Sequence, residues 1–155
     1  MRFAEIIREQ LQGTGHDVTL TSLKAEPPVK APVKQPWPFR LVDVGDHGEC
    51  EAILVGGPVW AFGASPVVMA SLELLPLQGK LFVPFVTMAL PFVGLGGKQA
   101  IRSMTTLAAA KGAHTLPGHA APLLFRRQGA IMEKSAQDLA QNVLAAQEKQ
   151  SNGSM

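Results

Sequence analysis

Ala52-Ile53-Leu54-Val55 is a continuous apolar run that stops at Gly56-Gly57-Pro58, and no other feature narrows the folds open to this chain as much. Such a run has no polar face to offer water. A strand made from it is covered on both sides, as in a parallel sheet held between helical layers. Lys80-Leu81-Phe82-Val83-Pro84-Phe85-Val86-Thr87 is a second run of strand length, blemished by Pro84, which has no N–H for a ladder. Between the two, Ser65-Pro66 has the chemistry of a helix start. Val68, Met69, Leu72 and Leu75 then fall at helical spacing until Pro76 stops them.

The remaining segments extend this alternation. Phe3, Ile6, Ile7 and Leu11 form one apolar stripe among Arg2, Glu5, Arg8, Glu9 and Gln12, which predicts an amphipathic first helix. Gly13-Thr14-Gly15 ends it, and Val18 and Leu20 among threonines read as a short strand. Five prolines between Pro27 and Pro38 interrupt every period, so this is an irregular connector, pinned to the body by Trp37 and Phe39. Gly94-Leu95-Gly96-Gly97 leads into a helix carrying Ile101, Met104, Leu107 and Ala108, which ends at Gly112. A weaker strand is expected within Ala113–Leu116 or Pro122–Phe125. Met132, Ala136, Leu139, Val143 and Leu144 mark a last helix. The chain reads as an α/β, three-layer open parallel sheet: one domain over residues 1–147, then a polar, frayed tail at 148–155.

With 155 residues, 46% hydrophobic and 17% charged, the chain has enough material for one core without a disulfide or metal staple. Fourteen Lys and Arg stand against twelve Asp and Glu. The basic residues are scattered apart from Arg126-Arg127, which argues against nucleic acid as a partner. The lone Cys50 forbids an internal disulfide and the thiolate sets of zinc or iron–sulfur sites. Its neighbours Glu49 and Glu51 disfavour a reactive thiolate. No stretch reaches the roughly 20 apolar residues of a membrane span, and the early Glu5 is unlike a signal region. The expected location is the cytoplasm. His114 and His119 have no carboxylate or cysteine at ligand or triad spacing and read as structural or surface residues.

Ligands of open α/β sheets bind beyond the carboxyl ends of the strands. Two loops leave such ends here: Gly56 to Ser65, with Trp60 at a position expected to be exposed, and Thr87 to Gly97, with Phe92. Aromatic faces and unobstructed backbone N–H groups suit a flat heteroaromatic ligand. The segment Ile53-Leu54-Val55-Gly56-Gly57-Pro58-Val59-Trp60, with Gly63 and Ser65-Pro66, resembles the third strand and first flavin loop of flavodoxin-like proteins. Lys80 to Thr87, with Gly94-Leu95-Gly96-Gly97-Lys98, resembles their fourth strand, second flavin loop and following helix. The resemblance implies FMN as cofactor, with its ring near Pro58, Val59, Trp60, Ala61, Phe62, Gly63, Thr87, Met88, Phe92, Gly94, Gly96 and Gly97. It implies electron transfer, or oxidoreductase chemistry on a small acceptor such as a quinone, in partnership with a small-molecule or protein redox partner. A positive net charge and the absence of Tyr favour a reductase over a carrier.

The sequence departs from that family at its start. What resembles the first helix begins directly after Met1, and the family's first strand and Ser/Thr-rich phosphate turn have no counterpart. The sheet is therefore expected to be incomplete or rearranged at its centre. The Val18–Leu23 segment then either moves in beside Ile53–Val55 or leaves a gap that a second chain fills, a homo-oligomer in the simplest case. The alternative reading is a flavin-free, truncated or scaffold domain acting through protein–protein packing. A dinucleotide-binding domain is disfavoured, since no Gly-x-Gly-x-x-Gly turn follows a first strand.

Overall fold

The computed structural model describes residues 2–31, 33–89, 96–122 and 128–153. In chain order the elements are α1 (Arg2–Gly13), β1 (Ala25–Glu26), β2 (Arg40–Leu41), β3 (Ala52–Trp60), β4 (Gly63–Ala64) and α2 (Pro66–Leu74). They continue with β5 (Leu81–Met88), α3 (Gly97–Ala110), β6 (His114–Thr115), β7 (His119–Pro122) and α4 (Gln128–Gly153). The sheet runs β4-β3-β5-β6, with β7 also on β5. β3, β6 and β7 all pair with β5 in parallel, as apolar runs with no polar face require.

Pro84 sits in the middle of β5 and shapes the strand beside it. The N–H of His114 donates to the Lys80 carbonyl and that of Leu116 to the Phe82 carbonyl. Even-numbered residues of β5 therefore turn their main chain toward this side. Pro84 is next in that series and has no N–H to give. The ladder breaks there: β6 ends at Thr115, and β7 resumes with His119 opposite Phe85. Gly118 bridges the break against the proline, where a Cβ would come within 2.9 Å of Pro84 Cγ and 2.5 Å of Ile101 Cγ2.

Side chains alternate across the sheet into two cores. On one face Val83 and Phe85 meet the buried stripe Phe3, Ile7 and Leu11 of α1, together with Met132, Ala136, Leu139 and Val143 of α4. The rings of Phe3 and Phe85 pack edge to face, with centroids 5.5 Å apart. On the other face Ile53, Val55, Phe82 and Val86 join Val68 and Leu72 of α2 and Met104 and Ala108 of α3. Ser65 caps α2 by accepting from the Val68 N–H, and Pro66 occupies the position where its missing N–H costs nothing. At the other end, Lys111 Nζ donates to the carbonyls of Leu72, Glu73 and Leu75, each at 2.7 Å. The C-terminal carbonyls that a helix leaves without partners are thus supplied from α3's end. Burial pulls the Lys111 pKa below its usual value, against the raising effect of Glu73.

Several sequence expectations need adjustment. Residues 18–23 form no ladder; they run as irregular backbone beside β3 without joining it. The weaker strand is found within Ala113–Leu116 as β6, and a further piece, β7, reaches Pro122; residues 123–127, Arg126 and Arg127 included, lie outside the described ones. The tail assigned to 148–155 is helical through Gly153, though exposed. The proline-rich connector is irregular as expected, its base clasped by β1 and β2 in an antiparallel ribbon. Trp37 stacks obliquely on Phe39 and donates through Nε1 to Glu73, which pins the connector to α2.

His119 lies on β7 with Nε2 enclosed and, among the described residues, without a hydrogen-bond partner. Burial lowers its pKa, while Asp138 of α4 opposes the shift. The unfolded chain, whose imidazole titrates near the ordinary value of about 6.5, therefore binds more protons below that pH than the folded chain does. Stability is expected to be constant above that value and to fall as pH drops from it toward the folded-state pKa. Urea midpoints at pH 7.5 and 5.5 check this. His119→Gln should shrink the difference between them, and an unchanged difference would assign the effect to other groups.

Candidate functional site at the carboxyl ends of β3 and β5

β3 and β5 end side by side, with Pro58 opposite Thr87. Beyond Trp60 the chain reverses within two residues and returns as β4, pairing Trp60 with Gly63 and Val59 with Ala64. Ala61 and Phe62 make this turn at φ values of 46° and 65°. Two consecutive left-handed residues are what a tight hairpin needs, and Asn-Gly usually supplies them. Here an alanine and a phenylalanine carry the strain, of order 1–2 kcal/mol per residue. The turn holds Phe62 out from the protein with 64% of its surface exposed. Strained backbone that presents an aromatic ring to solvent at a strand end marks a functional candidate.

The hairpin rests on the start of α3. Gly96, the N-cap, has φ 97°, and a Cβ there would stand 2.6 Å from Phe62 Cα. Gly96 is therefore small because the hairpin backbone fills its open side. Gly56 and Gly57 are filled similarly: a Cβ on Gly56 would enter the Phe85 ring at 2.2 Å, and one on Gly57 would meet Val68 Cγ2 at 2.7 Å. These glycines serve strand–helix packing, whereas Gly63 has open space with only the Trp60 carbonyl nearby. The first turn of α3 has no side-chain cap and no acidic residue, and Lys98 is exposed within it. Gly96 and Gly97 are themselves buried at this helix start.

The expected ring-site residues fall into three groups. Pro58, Ala61 and Phe62 are exposed, and Val59, Trp60, Gly63 and Thr87 are half-buried around the same strand ends. Met88, Gly96 and Gly97 are buried, and the Met88 Sδ is 3.0 Å from a Cβ placed on Gly97, so its side chain supports the start of α3. Phe92 and Gly94 lie outside the described residues. A cavity of about 450 Å³ reaches from Ile53 along β3 to Trp60 and Thr87. Of the hydroxyls on this side, Ser65 is committed to capping α2, and Ser71 donates to the Val68 carbonyl. At these strand ends the strained turn is what sequence reading missed, because Ala-Phe carries no hairpin signal. Among the described residues, no cluster of His, Cys, Asp or Glu is arranged to hold a metal ion.

No protein-family model matches the chain, and no curated protein matches it in sequence. Among solved structures it is similar to a Streptococcus pneumonia TIGR4 flavodoxin at 16% identity and a TM-score of 0.64, over 94% of this chain and 89% of that one. A thermophilic tryptophan halogenase matches over 62% of this chain and 67% of that one, at 20% identity and a TM-score of only 0.44. The architecture is flavodoxin-like: α/β, with a parallel-containing central sheet between helices. No described helix is long and apolar enough to cross a membrane.

Proposed function

We propose that this chain is an FMN-dependent redox protein whose flavin ring lies against the Pro58–Gly63 hairpin at the carboxyl ends of β3 and β5. The observation that carries this reading is the left-handed Ala61-Phe62 turn, whose backbone packs on the start of α3 while the Phe62 ring stays exposed. A flavodoxin-like fold supports it, since open α/β sheets bind ligands at these strand ends. Phe62 and Trp60 would supply ring contacts, Thr87 a hydroxyl, and the Gly63 and α3 backbone hydrogen bonds to the polar edge. Met88 and Gly96 would act beneath, by fixing the hairpin and helix. Bound there, FMN supplies electron or hydride transfer by its own chemistry, and the protein's part is stacking, orientation and tuning. Reduction of a small acceptor such as a quinone is the favoured reaction.

The ring end of this site is better provided than the phosphate end, where Ser65 is already engaged. Riboflavin and FMN are therefore expected to bind within about threefold of each other, because charge-assisted bonds to the phosphate, each worth roughly 1.5–3 kcal/mol, contribute little. Flavin-fluorescence titrations at low and moderate salt measure this. A large, salt-sensitive preference for FMN would reveal a phosphate site, with Lys98 and the α3 start as first suspects. Phe62→Ala should weaken both ligands about fivefold, from a stacking loss of about 1 kcal/mol. If neither ligand binds, the flavin reading is wrong and the packing-domain alternative takes its place.

A further inference from the structure

We propose that the slot along the free edge of β3 receives an extended apolar peptide of about six residues, contributed by a separate partner polypeptide, as an added strand of the sheet. The Leu81 N–H donates to the Glu51 carbonyl, which sets the phase of β3. Odd-numbered residues point their main chain at β5, so Ala52, Leu54 and Gly56 turn theirs the other way. On that side β3 pairs with β4 only through Val59 and Trp60. The groups of Ala52, Leu54 and Gly56 have no ladder partner there among the described residues. Seven residues from Ala52 to Pro58 give an edge of roughly 20 Å, enough for about six paired residues.

This edge does not face open water. The 18–23 segment stands across from it, and two cavities of about 530 and 450 Å³ lie between them, both bordered by Ile53, Leu54, Thr19 and Leu20. The walls define the occupant. Phe3, Ile7 and Phe85 line one side and Val68 and Leu75 the other, so the missing strand must be apolar on both faces. A row of alternating N–H and C=O groups is matched in full only by another extended main chain, which is how peptides add to sheet edges. Arg8 Nε, enclosed on the wall of the larger cavity, has no hydrogen-bond partner among the described residues, and a main-chain carbonyl in the slot would provide one. A second copy of this chain fits poorly. Its apolar strands at Ile53–Val55 and Leu81–Val86 are already buried in its own sheet, and its remaining edge is screened by its own 18–23 segment.

Amide hydrogen exchange on the full chain tests this, read by NMR with and without an acetylated, amidated peptide of six alternating valines and leucines between terminal lysines. A control peptide has proline at alternate positions. The first peptide is expected to slow exchange at Leu54 and Gly56 at least tenfold and to leave Val55, already bonded to β5, unchanged. The control should do nothing. Unchanged exchange at Leu54 and Gly56 at millimolar peptide, or equal slowing by the control, would overturn the proposal. So would a dimer in light scattering with both amides protected before any peptide is added, since a second copy would then be the occupant. No flavin enters these measurements, so their outcome is separate from that of the FMN reading.

Discussion

Phe82→Ala is expected to lower the unfolding free energy by about 3–5 kcal/mol, a large share of what a domain of this size has. The ring has no exposed surface and lies in the core shared by β3, β5, α2 and α3. It is held in register between Ile53 and Thr115, so the strands on either side cannot close over the void. Truncation therefore loses the transfer energy of the ring and leaves most of a cavity as well. Urea unfolding of wild type and variant, at matched slope, measures the difference. Phe82→Leu should cost far less, because it keeps most of the volume. A loss below about 1.5 kcal/mol for the alanine variant would mean that this face collapses more readily than its packing indicates.

Gly96→Ala carries the second large effect and links stability to the candidate site. The residue sits at φ 97°, and its added Cβ would meet Phe62 Cα at 2.6 Å, Phe62 C at 2.9 Å and Val59 Cγ1 at 2.9 Å. Backbone conformation alone costs about 1–3 kcal/mol. The clash adds to it, because two of the three atoms are backbone and cannot swing away. The hairpin must lift from α3, which carries Phe62 and Trp60 with it. Flavin affinity is expected to fall at least tenfold, together with a loss of stability in urea. A stability loss with unchanged flavin affinity would show that the hairpin is not where the ring binds. Gly63→Ala is the contrasting variant: its Cβ has open space, so stability should change little.

Much of the scaffold was legible because it rests on local periodicity. The stripe of Phe3, Ile7 and Leu11, the Ser65-Pro66 helix start and the fully apolar β3 and β5 each state their environment in a few consecutive residues. Val18–Leu23 shows where that logic stops. Its alternating apolar and threonine pattern suits a strand, but a strand forms only where a partner edge lies within hydrogen-bonding reach. Here the separation from β3 leaves a slot instead. The glycines have a packing role that their sequence context does not show. Gly56, Gly57 and Gly96 read as room for a ligand, and the structure fills that room with Phe85, Val68 and the Phe62 backbone.

The sequence by itself determined the four helices, the two long apolar strands β3 and β5 and their parallel pairing, because burial on both faces and helix capping are encoded within short windows. Tertiary structure alone decided three further points. It split the last strand opposite Pro84, placed left-handed strain at Ala61-Phe62, and left the edge of β3 open beside residues 18–23. Each depends on groups far apart in the chain meeting across the sheet: a missing N–H on one strand, a helix start beneath a hairpin, a wall facing an unpaired edge. Hydrogen bonds and steric contacts of that kind act over a few ångströms in space, and no local pattern of residue types records which distant groups will come within that range.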